Sequence, residues 1–314
     1  MLRLILRRLG RSIPLLLVVS AVSFVIESLV PGDVARDMTL GVATVAQLKA
    51  LRIKLGLNHP VWYQYLHYLN QLIFHAKLGN DAFSGQPVTT ALAPRLPVTL
   101  SLVILTTLFC AVVGITLGIT SAVYGGGLGK VVDFLAVAGF ALPAFWLALV
   151  LQNFLTVDHR IFPSIGYVSP SVSVVDWLRS LVLPVLSISM APLAIIAKQS
   201  RDSMMNVLER EYIRTLRACG ISKTRILWKH ALRNAVTPSL TIVGVVFISA
   251  LSFSVFAETV FSLPGLGSLA VTAAESHDVP IIEGITMYFT LLVVAVNLIL
   301  DICYALINPK VRLR

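Results

Sequence analysis

Six apolar runs constrain this chain more than any other feature. They lie at roughly 12–30, 99–123, 131–157, 181–200, 238–262 and 283–307. Each has the length, about twenty residues, that a helix needs to cross a hydrocarbon core about 30 Å thick. The composition agrees. The chain is 57% hydrophobic and 13% charged, against about 25% charged residues in soluble domains, so its surplus apolar surface calls for lipid rather than a larger core. The pattern predicts an all-α membrane protein with six transmembrane helices. Pro184 and Pro192 interrupt the fourth run and Lys198 closes it, which predicts a kinked helix there. Arg3, Arg7, Arg8 and Arg11 precede the first run, but that run is too long for a signal peptide and no A-x-A site follows it, so it reads as a retained span.

Charge sets the orientation. The net charge of +10 does not form one patch of the kind nucleic acid would need; the basic residues cluster at the ends of the apolar runs. The tail 1–11 has four arginines, the loop 198–237 has nine Lys or Arg against three acids, and the tail 308–314 carries Lys310, Arg312 and Arg314. The loop 263–282 has neither Lys nor Arg but holds Glu275 and Asp278. The positive-inside bias therefore puts both termini and the 198–237 loop in the cytoplasm. The segment 31–98 falls outside. Within it, 45–55 has helical apolar spacing and 60–74 is rich in Trp and Tyr, which predicts two short helices over the outer mouth, with Trp62, Tyr63, Tyr65 and Tyr68 at the membrane surface. The core 99–307 holds the other five spans. The segment 158–180 is short and turn-rich.

No motif for catalysis or metal binding is present. Gly129-Lys130 lacks the spacing of a phosphate loop, and H-E-x-x-H and G-x-S-x-G are missing. Cys110, Cys219 and Cys303 lie too far apart in sequence for a metal pattern or a disulfide framework. The sequence shows no catalytic, cofactor or metal motif of its own, so if ATP is used, another subunit binds it.

The loop between the fourth and fifth spans is the most informative stretch. From Met204 to Leu216 apolar and charged residues alternate at helical spacing, with Val207, Tyr212, Leu216 and Ala218 set against Glu209, Arg210, Arg214 and Arg217. Gly220 is a candidate left-handed C-cap. Ser222 can cap a second helix over 223–234, which carries Trp228 and His230. The physics alone also allows this basic amphipathic pair to rest on anionic membrane lipid, at about 1 kcal/mol per Lys or Arg.

The sequence of this loop resembles the cytoplasmic signature loop of ATP-binding-cassette importer permeases of the dipeptide/oligopeptide type. Tyr212-Ile213-Arg214-Thr215-Leu216-Arg217-Ala218-Cys219-Gly220, then His230-Ala231-Leu232-Arg233-Asn234-Ala235 and Pro238, follow the pattern Y-V-R-T-A-R-A-K-G…H-A-L-R-N-A…P. They depart from it at Leu216 and Cys219. The likeness runs the length of the chain. Leu29-Val30-Pro31-Gly32-Asp33 resembles L-x-P-G-D. Leu55-Gly56-Leu57 with Pro60 and Tyr65 resembles G-L-D-x-P with a later Q-Y, Asn58 replacing the Asp. Arg95-Leu96-Pro97-Val98-Thr99-Leu100 resembles R-L-P-x-T-L. Glu258-Thr259-Val260-Phe261 with Pro264-Gly265-Leu266-Gly267 resembles E-x-x-F-x-x-P-G-L-G. Asn297-Leu298, Asp301, Tyr304 and Asn308-Pro309 resemble the closing N-L-x-x-D-x-x-Y-x-x-x-D-P.

That resemblance implies a type I importer permease fold in the inner membrane of a prokaryote, and a division of labour. Two homologous permeases form a pathway for short peptides. Two ATPase subunits bind ATP and magnesium, and an extracytoplasmic binding protein delivers the substrate. Glu211, Tyr212, Arg214, Thr215, Arg217, Ala218, Cys219 and Gly220 would form the coupling helix that meets an ATPase. Nickel importers share this permease type and are an alternative. A secondary transporter driven by protons or sodium is a further one, and it would need an ionisable pair near the midplane.

Carboxylates near the spans need a reason, because one at mid-span costs about 2.5–3.5 kcal/mol. Glu27 and Glu258 sit about one turn from the outer ends of their spans. They are either interfacial and hydrogen-bonded or, with Phe261, Pro264 and Gly265, part of an outer vestibule or gate. Asn297 and Asp301 share a helix face at i, i+4, which suggests an interhelical hydrogen bond. Asp133 opens the third span, where the helix dipole favours it. Gly114-x-x-x-Gly118 permits close helix packing. The loop 263–282, acidic and rich in Pro and Gly, is a candidate contact for the delivery protein, a gate, or a plain connection.

Overall fold

A computed structural model describes residues 2–30, 32, 34–39, 42–159, 161–162 and 166–307. Of the motif residues above, Pro31, Asp33, Asn308 and Pro309 lie outside the described residues, as does the C-terminal tail; the side chain of Tyr304 is likewise not described. Fourteen helices are named here in chain order: α1 (Leu2–Leu29), α2 (Val34–Met38), α3 (Val45–Lys54), α4 (Val61–His75), α5 (Val88–Leu92), α6 (Leu96–Tyr124), α7 (Gly126–Ala141), α8 (Ala144–Gln152), α9 (Val174–Leu208), α10 (Glu211–Ala218), α11 (Lys223–Arg225), α12 (Leu232–Val260), α13 (Leu266–Glu275) and α14 (Val279–Ile307). Five are long and apolar enough to span a membrane: Gly10–Leu29, Leu96–Tyr124, Val174–Leu208, Pro238–Val260 and Val279–Ile302.

A sixth span exists only if α7 and the helix after it count as one, and these are bent by 98°. The single run expected at 131–157 is therefore broken. Proline explains the break. Pro143 has no N–H to give, and its ring pushes Leu142 out of the helical region to φ −93°, ψ 117°. A π-helical turn, Asn153–Asp158, extends α8.

The chain divides into two compact units, Met1–Val98 with Pro264–Val294 and Thr99–Leu263 with Ala295–Arg314. In the first, Phe24, Tyr68, Leu78, Val88, Leu92 and Leu266 belong to one buried cluster. Tyr65 ties α4 to α1, its hydroxyl donating to Leu17 O at 3.0 Å and lying 2.9 Å from Ser20 Oγ. The outer aromatics thus split: Tyr68 is buried and Tyr65 half-buried, while Trp62 and Tyr63 are exposed. Thr44 and Gln47 form a capping box that starts α3, a helix with no buried residue. The loop 263–282 is not irregular throughout, since it contains α13.

In the second unit α9 is central. Of its most apolar window 72% is buried, against 39% for α6 and for the span in α12. The run that two prolines interrupt is thus the best covered of the five spans, and its helix extends well beyond 181–200 in both directions. Its prolines leave carbonyls without the usual amide donor. Buried hydroxyls within the helix satisfy themselves on nearby carbonyls: Ser187 Oγ donates to Pro184 O at 2.7 Å and Ser180 Oγ to Trp177 O at 2.8 Å. The two small residues of α6 do what their spacing suggests. A Cβ on Gly118 would lie 2.6 Å from Ser200 Cβ and one on Gly114 would lie 2.8 Å from Ile196 Cγ2, so both let α6 approach α9 closely. Asp133 does not open its helix as expected: α7 starts at Gly126, so Asp133 lies about two turns in, past the first turn where a helix dipole acts, and its partners come from another helix. It accepts from Arg201 at 2.9 Å and from Lys198 at 3.2 Å, both on α9.

Candidate functional site

The loop between α9 and α12 is shorter than 198–237, because α9 runs on to Leu208. The single amphipathic helix expected from Met204 to Leu216 is interrupted at Glu209–Arg210, where Arg210 turns extended at φ −64°, ψ 146° and starts α10. Glu211 in the first turn and Arg217 in the last complement the helix dipole.

α10 has two faces. Ile213 is completely buried, with Tyr212 and Leu216 half-buried beside it. They join Met204 and Val207 of α9, Ile226, and Ala231 and Ala235 at the start of α12 in one apolar cluster, with Ile119 and Val123 of α6 packed against it. Glu211, Arg214, Thr215, Arg217, Ala218, Cys219 and Gly220 are all exposed. Ala218 thus falls on the polar face rather than the apolar one, and Ile213 anchors the helix instead. Its position one turn before Leu216 was the available signal.

The helix ends in a Schellman motif. Ile221 N donates to Leu216 O at 3.2 Å and Gly220 N to Arg217 O at 3.0 Å, with Cys219 as the C-cap. Gly220 sits at φ +75°. A Cβ there would meet nothing within 4 Å, so the requirement is for the left-handed backbone and not for space. Leu216 and Ile221 both belong to the apolar cluster below, the contact that accompanies this motif.

Beyond Gly220 the chain departs from the expected helix 223–234. Ser222 precedes α11 but makes no side-chain cap. α11 is three residues long and passes through a π-helical turn, Ile226–Ala231, directly into α12. A polar clasp joins this turn to α10. Asn234 Nδ2 donates to the Tyr212 hydroxyl and to His230 O, both at 3.2 Å, and the Tyr212 hydroxyl reaches His230 O at 3.5 Å. Asn234 stands in the quoted motif, but its partner Tyr212 is 22 residues away and only the fold brings them together.

The candidate gate residues are distributed along the chain. Glu258 is fully buried near the end of α12 and accepts from Thr99 Oγ1 at 2.7 Å. That burial excludes a solvent-facing interfacial placement. Phe261 is 3% exposed, and Gly166 N donates to its carbonyl at 3.2 Å. Ser262, at φ +51°, closes α12 in a second Schellman arrangement, with Leu263 N on Glu258 O at 2.8 Å. Pro264 is exposed, and Gly265 is buried as the N-cap of α13. Glu27 is half-buried on α1 and lines a cavity of about 580 Å³ with Phe24, Lys49, Arg52, Gln64 and His277. Asn297 is exposed on α14 and makes no hydrogen bond among the described residues; Asp301, four residues on, is half-buried. Sequence reasoning missed Glu283 entirely. It is fully buried on α14, and both carboxylate oxygens lack a hydrogen-bond partner among the described residues. The described residues hold no group of three or more His, Cys, Asp or Glu able to bind a metal.

Comparison with known proteins gives these features a context. The chain is 37% identical over 310 residues, 98% of each chain, to a Brucella abortus (strain 2308) protein named as a putative peptide transport system permease. It is 33% identical over 340 residues, 99% of each chain, to the dipeptide transport system permease protein DppB of Escherichia coli (strain K12). Its fold resembles a chain of the inward-facing MetNI methionine ABC transporter, with TM-score 0.56 and 16% identity over 70% of this chain and 98% of that one. The N-terminal family of these membrane components matches residues 1–103. Residues 114–313 match the family described as binding-protein-dependent transport system inner membrane component, and the chain belongs to that family.

Proposed function

We propose that this chain is a permease subunit of an ATP-driven importer and that, with a second homologous permease, it forms the pathway for short peptides brought by an extracytoplasmic binding protein. The names of its relatives support the peptide. The flanking charges support cytoplasmic termini and a cytoplasmic α10. ATP and magnesium belong to the two ATPase subunits, and this chain supplies the contact that receives their motion.

One observation carries the reading: α10 is anchored on one face and bare on the other. An eight-residue helix is too short to persist alone. Ile213, the Tyr212–Asn234 clasp and the Gly220 cap hold it, while Glu211, Arg214, Thr215, Arg217 and Ala218 are exposed for a partner. A short helix seated in a groove passes on rigid-body motion. The anchoring cluster here includes the start of α12, so a push on α10 moves that helix.

The test is a photo-crosslinking residue at Thr215 in the assembled transporter, with mass spectrometry to identify what is captured. Capture of an ATPase subunit is expected. Capture of lipid alone would overturn the assignment. Reconstitution separates the drivers: uptake of a dipeptide should require the ATPases and ATP, and uptake by this chain alone under an ion gradient would favour a secondary transporter. Competition by nickel but not by dipeptide would replace the peptide.

A further inference from the structure

Helix α3 is formed without being packed. It has no buried residue, and Val45 is 84% and Ile53 56% exposed. A helix of 10 residues is too short to persist alone. The Thr44–Gln47 box secures only its start, so the helix calls for a partner.

The cations of α3 point to what that partner is. Lys49 and Arg52 line two cavities. One, of about 800 Å³, adds Arg36 and Asp37; the other, of about 580 Å³, adds Glu27. Asp37 is already engaged with the His277 ring at 3.0 Å. Arg36 and Lys49 make no side-chain hydrogen bond or ion pair among the described residues.

The smaller cavity lies where two spans end. Glu27 and Ser28 stand in the last turn of α1, and Val279 opens α14. Phe24, Ile53 and Val61 give it an apolar wall. Only 11% of the most apolar window of α1 is buried, and Val25, Ile26 and Leu29 are exposed at the end of that span. On α4, Val61 and Gln64 line the cavity, while Trp62 and Tyr63 between them are exposed. Such aromatic residues are enriched at the level of lipid headgroups.

We propose that Lys49 and Arg52 hold the phosphate of a phospholipid from the outer leaflet, whose chains lie on the bare side of α1, and that this lipid fixes α3 against the membrane. Two cations one turn apart on a helix match one phosphate. The Glu27 carboxylate in the same cavity accepts from an amine or hydroxyl beyond the phosphate and repels a second negative charge. A free phosphate or a soluble protein would satisfy the cations but not the apolar wall at the end of the spans; a phospholipid brings phosphate and chain to that level together. The site is the same whichever side of the membrane it faces, and the orientation proposed above names the leaflet.

Native mass spectrometry of the assembled transporter, titrated with dioctanoyl phosphatidylglycerol, tests this. Lys49→Gln should weaken one lipid site per copy of this chain about fivefold, and Lys49→Gln with Arg52→Gln about 25-fold. Lys49→Arg should retain it. Lys54→Gln removes a cation of the same helix that lines neither cavity, so binding should be unchanged. Added lipid should also slow hydrogen exchange at the Leu55 amide, which closes α3 on Leu51 O at 2.9 Å, and should not do so in the double variant. These side chains are exposed on a helix with no buried residue, so the substitutions leave the packed part of the unit intact. An equal loss in Lys54→Gln would reduce the effect to general surface charge and overturn the site. Displacement of the lipid by equimolar inorganic phosphate would assign a free anion in its place. Weaker capture of the binding protein by Lys49→Gln, with lipid retention unchanged, would assign the surface to that protein; either result overturns the lipid.

Discussion

Replacement of Gly220 tests the coupling helix at its narrowest point. The residue sits at φ +75°, and a side chain there would meet no atom within 4 Å. Any penalty must then come from the backbone. The left-handed conformation costs an L-residue roughly 1–2 kcal/mol, less for Asn and more for a β-branched residue. Since about 1.4 kcal/mol corresponds to tenfold in an equilibrium, Gly220→Ala should raise local opening of the last turn of α10 about 5- to 30-fold, with Gly220→Asn close to the original and Gly220→Val above both. Hydrogen exchange at the Gly220 and Ile221 amides, which close the Schellman motif, reads this opening. Peptide delivered per ATP hydrolysed should fall in the same order, with membrane insertion unchanged. A Gly220→Val variant that matched the original in both exchange and transport would refute the reasoning, because it would show that neither the cap nor the turn after it carries the motion.

Three further substitutions probe the rest of the path. Tyr212→Phe removes the hydroxyl that accepts from Asn234; it should cost about 1 kcal/mol of stability and lower the transport-to-hydrolysis ratio, and an unchanged ratio would confine the clasp to a structural part. Thr99→Val deprives buried Glu258 of a donor at 2.7 Å and should cost about 1.5–3 kcal/mol in detergent unfolding, with Thr99→Ser restoring it; equal stability of the Val and Ser variants would show that this bond is dispensable. Glu283→Gln exchanges a buried acid whose oxygens have no partner among the described residues for a neutral residue of the same shape. Since an unpaired charge is costly to bury, the melting temperature should hold or rise, and a clear fall would reveal a partner for the acid.

How much the sequence reveals depends on the range of the interaction. The long spans are legible because apolar length is local information. Gly220 is legible because the need for a left-handed residue after an amphipathic turn is also local, and so are the two short helices at 45–54 and 61–75. The break at Pro143 carries a local signal too, but hydrophobicity continuous across it masks the proline, so the run looks like one span. Tertiary pairings are not legible. Nothing near Glu258 indicates that Thr99, 159 residues away, supplies its donor. Nothing near Asp133 points to Arg201, and nothing in the acidic composition of 263–282 indicates that Asp278 is buried against a hairpin. α9 shows the same limit from the other side. Its prolines and serines weaken it as an isolated apolar run, yet burial among neighbours and hydroxyls bonded to its own carbonyls make it the centre of its unit.

α12 is the element on which the proposed mechanism turns, because it is fixed near both ends by side chains from other elements. Asn234 near its start is bonded to the Tyr212 hydroxyl of α10; Glu258 near its finish is bonded to Thr99 of α6. About 36 Å of helix separate the two. The hydrogen-bonded helix is stiff along its axis, and Pro238, its one internal proline, falls within the first two turns, where the chain is already committed by the π-helical turn before it. On this proposal a displacement delivered to α10 enters α12 through the clasp and through the apolar cluster around Ile213, which also touches α6 and α9, and travels along α12 to the bond between Glu258 and Thr99 of α6. Were α12 free at its finish, the same push would tilt the helix without moving its neighbour. On this proposal the buried Glu258–Thr99 bond makes the far end a joint and not a loose tip, which gives a carboxyl so close to the end of an apolar span a physical reason.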